Sequence, residues 1–245
     1  AAAWTDMLQG AVMLACLMLL PTVAILTLTH AESIYAGLST IDPGLVTVWG
    51  AGGPTLLNIA AVLGMALIGL GFLGSPQVFA RLIAIRSDKQ INRGKWVALV
   101  FTLLVDFSAV TIGILGRYIF TENGVDPESV LGNGAQNVLP ELVEYTFPPW
   151  IVGLYVAAVL SAIMSTVSSL IVMAAGSITH DLYGQIYNPT MEDAQAARLC
   201  RLITLGLALA ALLIAVTVAI SSPDRTIFWF AIFGWSGIAA TFCPM

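Results

Sequence analysis

Six apolar runs divide the chain. They cover about residues 7–29, 55–84, 96–120, 149–177, 201–221 and 226–245, and segments rich in Gly, Pro and charged residues separate them. Each run is close to the roughly 20 apolar residues a helix needs to cross a hydrocarbon core about 30 Å thick. None alternates with the two-residue period of a barrel strand. The pattern predicts six transmembrane helices in an all-α integral membrane protein, with 1–245 forming a single transmembrane domain. The chain opens AAAWTDMLQG without an initiator Met and ends ATFCPM inside an apolar run. The expectation is therefore a domain truncated at both ends.

Composition agrees with the pattern. Only 9% of the 245 residues are charged, against about 25% in a soluble domain, and mean hydropathy is +0.92. So few charges cannot build a water-soluble surface. The first run lacks the basic flank and cleavage pattern of a signal peptide. Cys16, Cys200 and Cys243 lie far apart, without metal-ligand spacing, and read as packing residues.

Charge placement predicts orientation. Arg81, Arg86, Lys89, Arg93 and Lys95 cluster in or beside the second connection, and Arg198 and Arg201 lie at the fourth. Arg117 and Arg225 fall on the opposite side. Positively charged connections stay in the cytoplasm, so the second and fourth connections and the N-terminal end are expected there. A multi-pass protein of the plasma or inner cell membrane follows. The third connection, TENGVDPESVLGNGAQNVLPELVEYTFPP, is long and acidic and would face outward. Its PELVEY stretch reads as a short helix over the outer mouth, in a lid or in a solvated linker.

Within this apolar frame a few polar features stand out. In the second run Gly64, Gly69, Gly71 and Gly74 precede Pro76, which weakens the helix at mid-membrane. Freed backbone groups survive there only against protein or a cavity, so a broken helix marks a binding site in many transporters. Close helix packing is the competing explanation. In the fourth run, five of the ten residues of SAIMSTVSSL are Ser or Thr. Ala162, Ser165 and Thr166 share one helix face. Two hydroxyls and a helix carbonyl, with no carboxylate among them, are oxygen donors suited to a hard monovalent cation. The same hydroxyls can instead bond back to carbonyls of their own helix. Asp106, in LLVDFSAV, is an ionisable residue at mid-membrane and a functional candidate for that reason. Asp6 stands at the cytoplasmic start of the first helix, as a helix cap or a cation relay. The chain has no HExxH, Walker loop, GxSxG or paired intramembrane Asp. It offers no support for an intramembrane protease or an ATP-driven pump.

Three stretches carry a resemblance: AAAWTDMLQG, GLGFLGSPQVFARLIAI and FPPWIVGLYVAAVLSAIMSTVSSLIVMAAGSITHDLY. Through them the chain resembles the sodium/solute symporter family, most closely its sodium/proline branch, along nearly its whole length. The resemblance implies a partial leucine-transporter-type inverted-repeat bundle, from core helix five to core helix ten. The four earlier core helices of the same chain would be missing. It implies sodium as coupling ion, held by the Ala162 carbonyl and the Ser165 and Thr166 hydroxyls, with Asp6 on the sodium exit path. It further implies that the broken helix lines the substrate pocket, through Ile68, Gly69, Phe72 and Ser75. Proline-transporting members carry Trp and Tyr where this chain has Ile68 and Phe72, while Gly69, Gly71, Gly74 and Pro76 keep the backbone pattern. No role for Asp106 carries over.

The implied function is sodium-coupled uptake of a small organic solute, proline or a related amino acid, by alternating access. The implied partners are that solute and the lipid bilayer, with no nucleic acid. The alternative is a symporter-like sensor domain of a signalling protein, which a soluble kinase-like region downstream of Met245 would favour.

Overall fold

The computed structural model describes residues 2–28, 32–41, 43–49, 53–73, 83, 85, 87–122, 127–222 and 226–242. Among these, α1 is Ala2–Thr27, α2 Glu32–Ile41, α3 Leu56–Leu73, α4 Asp88–Glu122, α5 Pro127–Leu131, α6 Val138–Thr146, α7 Pro149–Ser177, α8 Asp193–Ser221 and α9 Ile227–Phe242. Short 3-10 turns cover Pro43–Val46 and Asn133–Ala135, and a π-helix covers Ile178–Tyr187. The described residues include no strand.

Four helical stretches among the described residues are long and apolar enough to cross a membrane: Trp4–Thr27, Asp88–Phe120, Pro149–Tyr187 and Asp193–Ser221. Leu56–Leu67 and Ile227–Gly237 are shorter apolar helices. Leu, Ile, Val and Phe side chains lie exposed along these elements, with Leu205, Leu212, Leu213 and Ile220 of α8 as examples. That surface suits lipid or other membrane helices, not water.

Two helices begin well before their apolar stretch. α4 starts at Asp88, through DKQINRGK, and α8 at Asp193, through DAQAARLC. Each has an acidic residue in its first turn, where the helix dipole favours negative charge. The residues that follow are mostly good helix formers, so the helix extends beyond its membrane-crossing part. α7 begins on Pro149, a first helical position where the missing N–H costs nothing.

α3 is continuous through Gly64, Gly69 and Gly71 as far as Leu73. The run of glycines ahead of Pro76 predicts a weakened backbone from Gly64 onward. The helix instead continues through the first three glycines, which are flanked by Leu, Met, Ile and Phe, residues compatible with helix. Gly74, Ser75 and Pro76 lie outside the described residues.

The chain forms two compact units, Ala1–Gln9 with Leu160–Arg225, and Gly10–Val159 with Thr226–Met245. The second holds the main packed core. Cys16, Leu20 and Ala24 of α1 meet Ile112, Leu115 and Ile119 of α4, Leu142 and Val143 of α6, and Tyr155 and Ala158 of α7. Two glycines let short helices lie directly on α4. A Cβ at Gly37 of α2 would strike the Tyr118 ring, and one at Gly116 of α4 would strike Val138 Cγ2 of α6. The acidic connection therefore contains a helix, α6, pinned to α4 by a close backbone approach.

Candidate cation site

α7 carries the hydroxyl-rich stretch without a break. Its hydroxyls do not all behave alike. Ser168 Oγ donates to the Met164 carbonyl at 2.5 Å, Ser169 Oγ to the Thr166 carbonyl at 2.9 Å, and Thr166 Oγ1 to the Ala162 carbonyl at 3.2 Å. These are back-bonds within the helix, the usual refuge of a hydroxyl in apolar surroundings. Ser165 differs. Its Oγ leaves the helix and donates to Asp6 Oδ1 of α1 at 2.6 Å, the short distance of a charge-assisted O–H···O⁻ bond.

Asp6, Ala162 and Ser165 are half-buried, and Thr166 is exposed. All four belong to the unit that joins Ala1–Gln9 to Leu160–Arg225. Four oxygen-bearing groups therefore gather on and beside one helix face: a carbonyl, two hydroxyls and a carboxylate. Because Ser165 gives its proton to Asp6, its lone pairs are left as acceptors. The Ala162 carbonyl has two lone pairs, one taken by the Thr166 N–H of the continuous helix and the other by the Thr166 hydroxyl. Turning the Thr166 hydroxyl about χ1 would free its own oxygen and one lone pair of the Ala162 carbonyl with no backbone change. Such a donor set fits a hard monovalent cation as cargo, with the negative charge one side chain away.

Asp6 lies in the second turn of α1, which begins at Ala2, so it is inside the helix and not at its cap. The capping explanation is thereby replaced by a tertiary hydrogen bond. The signal available in the sequence was an acidic residue at one helix start and an unpaired-looking Ser in a distant apolar run. Nothing local joins them across 159 residues.

The other candidates fare differently. Ile68, Gly69 and Phe72 lie in α3. The side chains of Ile68 and Phe72, and all of Ser75, fall outside the described set. Gly69 has open space where a Cβ would stand. Asp106 is exposed on α4, with no polar partner among the described residues.

A family model, the sodium:solute symporter family, matches residues 1–245. The chain belongs to the sodium:solute symporter family. It is similar to the high-affinity proline transporter PutP of Bacillus subtilis (strain 168), 29% identical over 248 residues, covering 100% of this chain and 49% of the relative. It is 27% identical over 246 residues to the sodium/proline symporter of Escherichia coli (strain K12), covering 100% and 47%. A sodium/pantothenate symporter of Haemophilus influenzae is 29% identical over 239 residues, covering 97% and 46%. The chain spans about half the length of the relatives it matches. No solved structure matches it. Family and helices together make this symporter-family chain part of a multi-pass membrane protein.

Proposed function

We infer that the protein containing this chain is a transporter that couples uptake of a small organic solute to entry of sodium. The observation that carries the reading is the Ser165–Asp6 hydrogen bond at 2.6 Å, set among the oxygens of Ala162 and Thr166. Sodium would bind the Ala162 carbonyl and the Ser165 and Thr166 hydroxyls. The remaining oxygens would come from the part of its relatives that this chain does not span. Asp6 would meet the ion on its way to the cytoplasm, since it already holds the hydroxyl the ion must leave.

Coupling then needs only that sodium and solute both favour the same conformation, and the effect is reciprocal between them. An inward potential adds about 2.3 kcal/mol per charge per 100 mV. Proline is the first solute to test, because two of the relatives above are proline transporters. Pantothenate is the second. Ile68 and Phe72 replace the Trp and Tyr of the proline branch, which removes a large apolar contact and a phenol hydroxyl from that pocket.

The test is uptake of labelled proline and labelled pantothenate by the full-length protein in proteoliposomes, under a sodium gradient and then with potassium replacing sodium. Sodium-dependent accumulation of either solute supports the reading. Accumulation that is the same in potassium contradicts it.

A further inference from the structure

Where α6 ends and α7 begins, the chain folds beside a cavity of about 320 Å³. Among the described residues it is lined by Glu144, Phe147, Pro149 and Val152. All four belong to the unit that contains Gly10–Val159. The volume falls among small-molecule pockets, which run from about 300 to 1,000 Å³, and is far more than a bare ion fills.

The wall is chemically mixed and firmly held. Phe147 stacks on Tyr155, centroids 5.4 Å apart and planes at 25°. Tyr155 is buried, and its Oη donates to the Cys16 carbonyl of α1 at 2.6 Å. The Phe147 ring is therefore backed on one face by a side chain anchored to backbone at its far end. The Phe147 N–H donates to the Val143 carbonyl at 2.9 Å, which sets its backbone as well. Glu144 is exposed, and its carboxylate has no partner among the described residues. Thr146, between the two in sequence, has a buried Oγ1 with no hydrogen-bond partner among the described residues. A buried hydroxyl left unpaired is costly, and a ligand N–H is one way to pair it.

Charge around the cavity has one sign. Residues 121–149 include Glu122, Asp126, Glu128, Glu141 and Glu144, and no Lys, Arg or His. The cavity also lies at the C-terminal end of α6, where the helix dipole is negative. Such a field draws in cations and repels anions. Pro149 opens a stretch able to cross a membrane, Pro149–Tyr187, and Tyr145 and Trp150 beside it are exposed. Exposed Tyr and Trp at a helix end mark the headgroup level of a bilayer.

We propose that this cavity binds an organic ammonium group, carried by a small free amine or by an aminophospholipid headgroup. The Glu144 carboxylate balances the charge, and the free face of the Phe147 ring takes the cation–π contact. Pro149 and Val152 pack on the carbons next to the nitrogen, and an N–H is available for the Thr146 hydroxyl. A metal ion suits the cavity poorly, because three of the four lining side chains offer no oxygen. The proposal does not rest on the sodium reading.

The test uses the purified full-length protein in a non-ionic detergent, with labelled ethanolamine as the probe. Binding should saturate. It should weaken about fivefold in Glu144→Gln, the worth of a unit-charge pair about 4 Å apart in water, and by a similar factor in Phe147→Leu. Glu141→Gln, one turn earlier on α6 and not part of the lining, should bind as wild type does. Unlabelled dihexanoyl phosphatidylethanolamine that displaces the probe at lower concentration than unlabelled ethanolamine would support the proposal with a lipid headgroup as the source. Displacement only at higher concentration would support it with a free amine as the source. Absence of saturable binding, or binding unchanged in Glu144→Gln, would overturn it. Equal losses in Glu144→Gln and Glu141→Gln would overturn it too, because the acidic connection as a whole, and not the cavity, would then hold the cation.

Discussion

Ser165, Thr166, Ser168 and Ser169 are chemically close and sit within five positions. Three of the hydroxyls satisfy themselves on their own helix, and one reaches a carboxylate on another. The sequence makes Ala162, Ser165 and Thr166 neighbours on a face, because that follows from a 3.6-residue period. It cannot say which hydroxyl turns outward, because a rotamer choice depends on what faces it. Asp6 illustrates the same limit, since an acidic residue near a helix start reads equally well as a cap. The hydrogen bond gives it a sharper test. Asp6→Asn keeps an oxygen that can accept from Ser165 but removes the charge. A charge-assisted bond is worth about 1.5–3 kcal/mol against about 1 for a neutral one. Half-saturating sodium should therefore rise roughly tenfold in a sodium titration of uptake, with the solute KM at saturating sodium little changed. Equal sodium dependence in the variant would remove Asp6 from the ion's path.

The apolar runs announce the membrane helices, yet their true starts lie in polar segments that hydropathy ignores, as at Asp88 and Asp193. The π-helix over Ile178–Tyr187 leaves no mark in composition, because a change from i−4 to i−5 bonding needs no special residue. Glycine is ambiguous for the opposite reason. Gly64, Gly69 and Gly71 look like a break and are continuous helix, whereas Gly37 and Gly116 look unremarkable and are points of close approach. Which glycine matters depends on a partner far away in sequence. Gly116→Ala would drive a Cβ into Val138 Cγ2 and should destabilise the α4–α6 contact by about 1–3 kcal/mol, the cost of overpacking. The detergent-solubilised protein should show a lower Tm, and Val138→Ala in the same chain should recover most of it. A loss that Val138→Ala leaves untouched would mean that the helices meet elsewhere.

Membrane residence is legible from composition, since nine charged residues in a hundred cannot make a soluble surface, and helical class from the length of the apolar runs. The core is less legible. Cys16, Ile112, Leu142 and Tyr155 come from four separate elements, and apolar residues inside and outside a membrane protein look alike. Orientation, by contrast, rests on a simple count of Lys and Arg. In a cysteine-free background, Thr190→Cys should react with an impermeant maleimide only after the cells are opened. Asn133→Cys should react in intact cells. The reverse pattern would invert the topology and place the Ser165–Asp6 pair toward the outer side. The central claim remains that one face of α7 binds sodium. Its most direct test is equilibrium binding of radioactive sodium to the purified full-length protein, comparing wild type with Ser165→Ala and with Ser168→Ala. The account predicts that Ser165→Ala weakens sodium binding about tenfold or more, the loss of one ligand, while Ser168→Ala binds as wild type does. Equal sodium affinity in wild type and Ser165→Ala would contradict it.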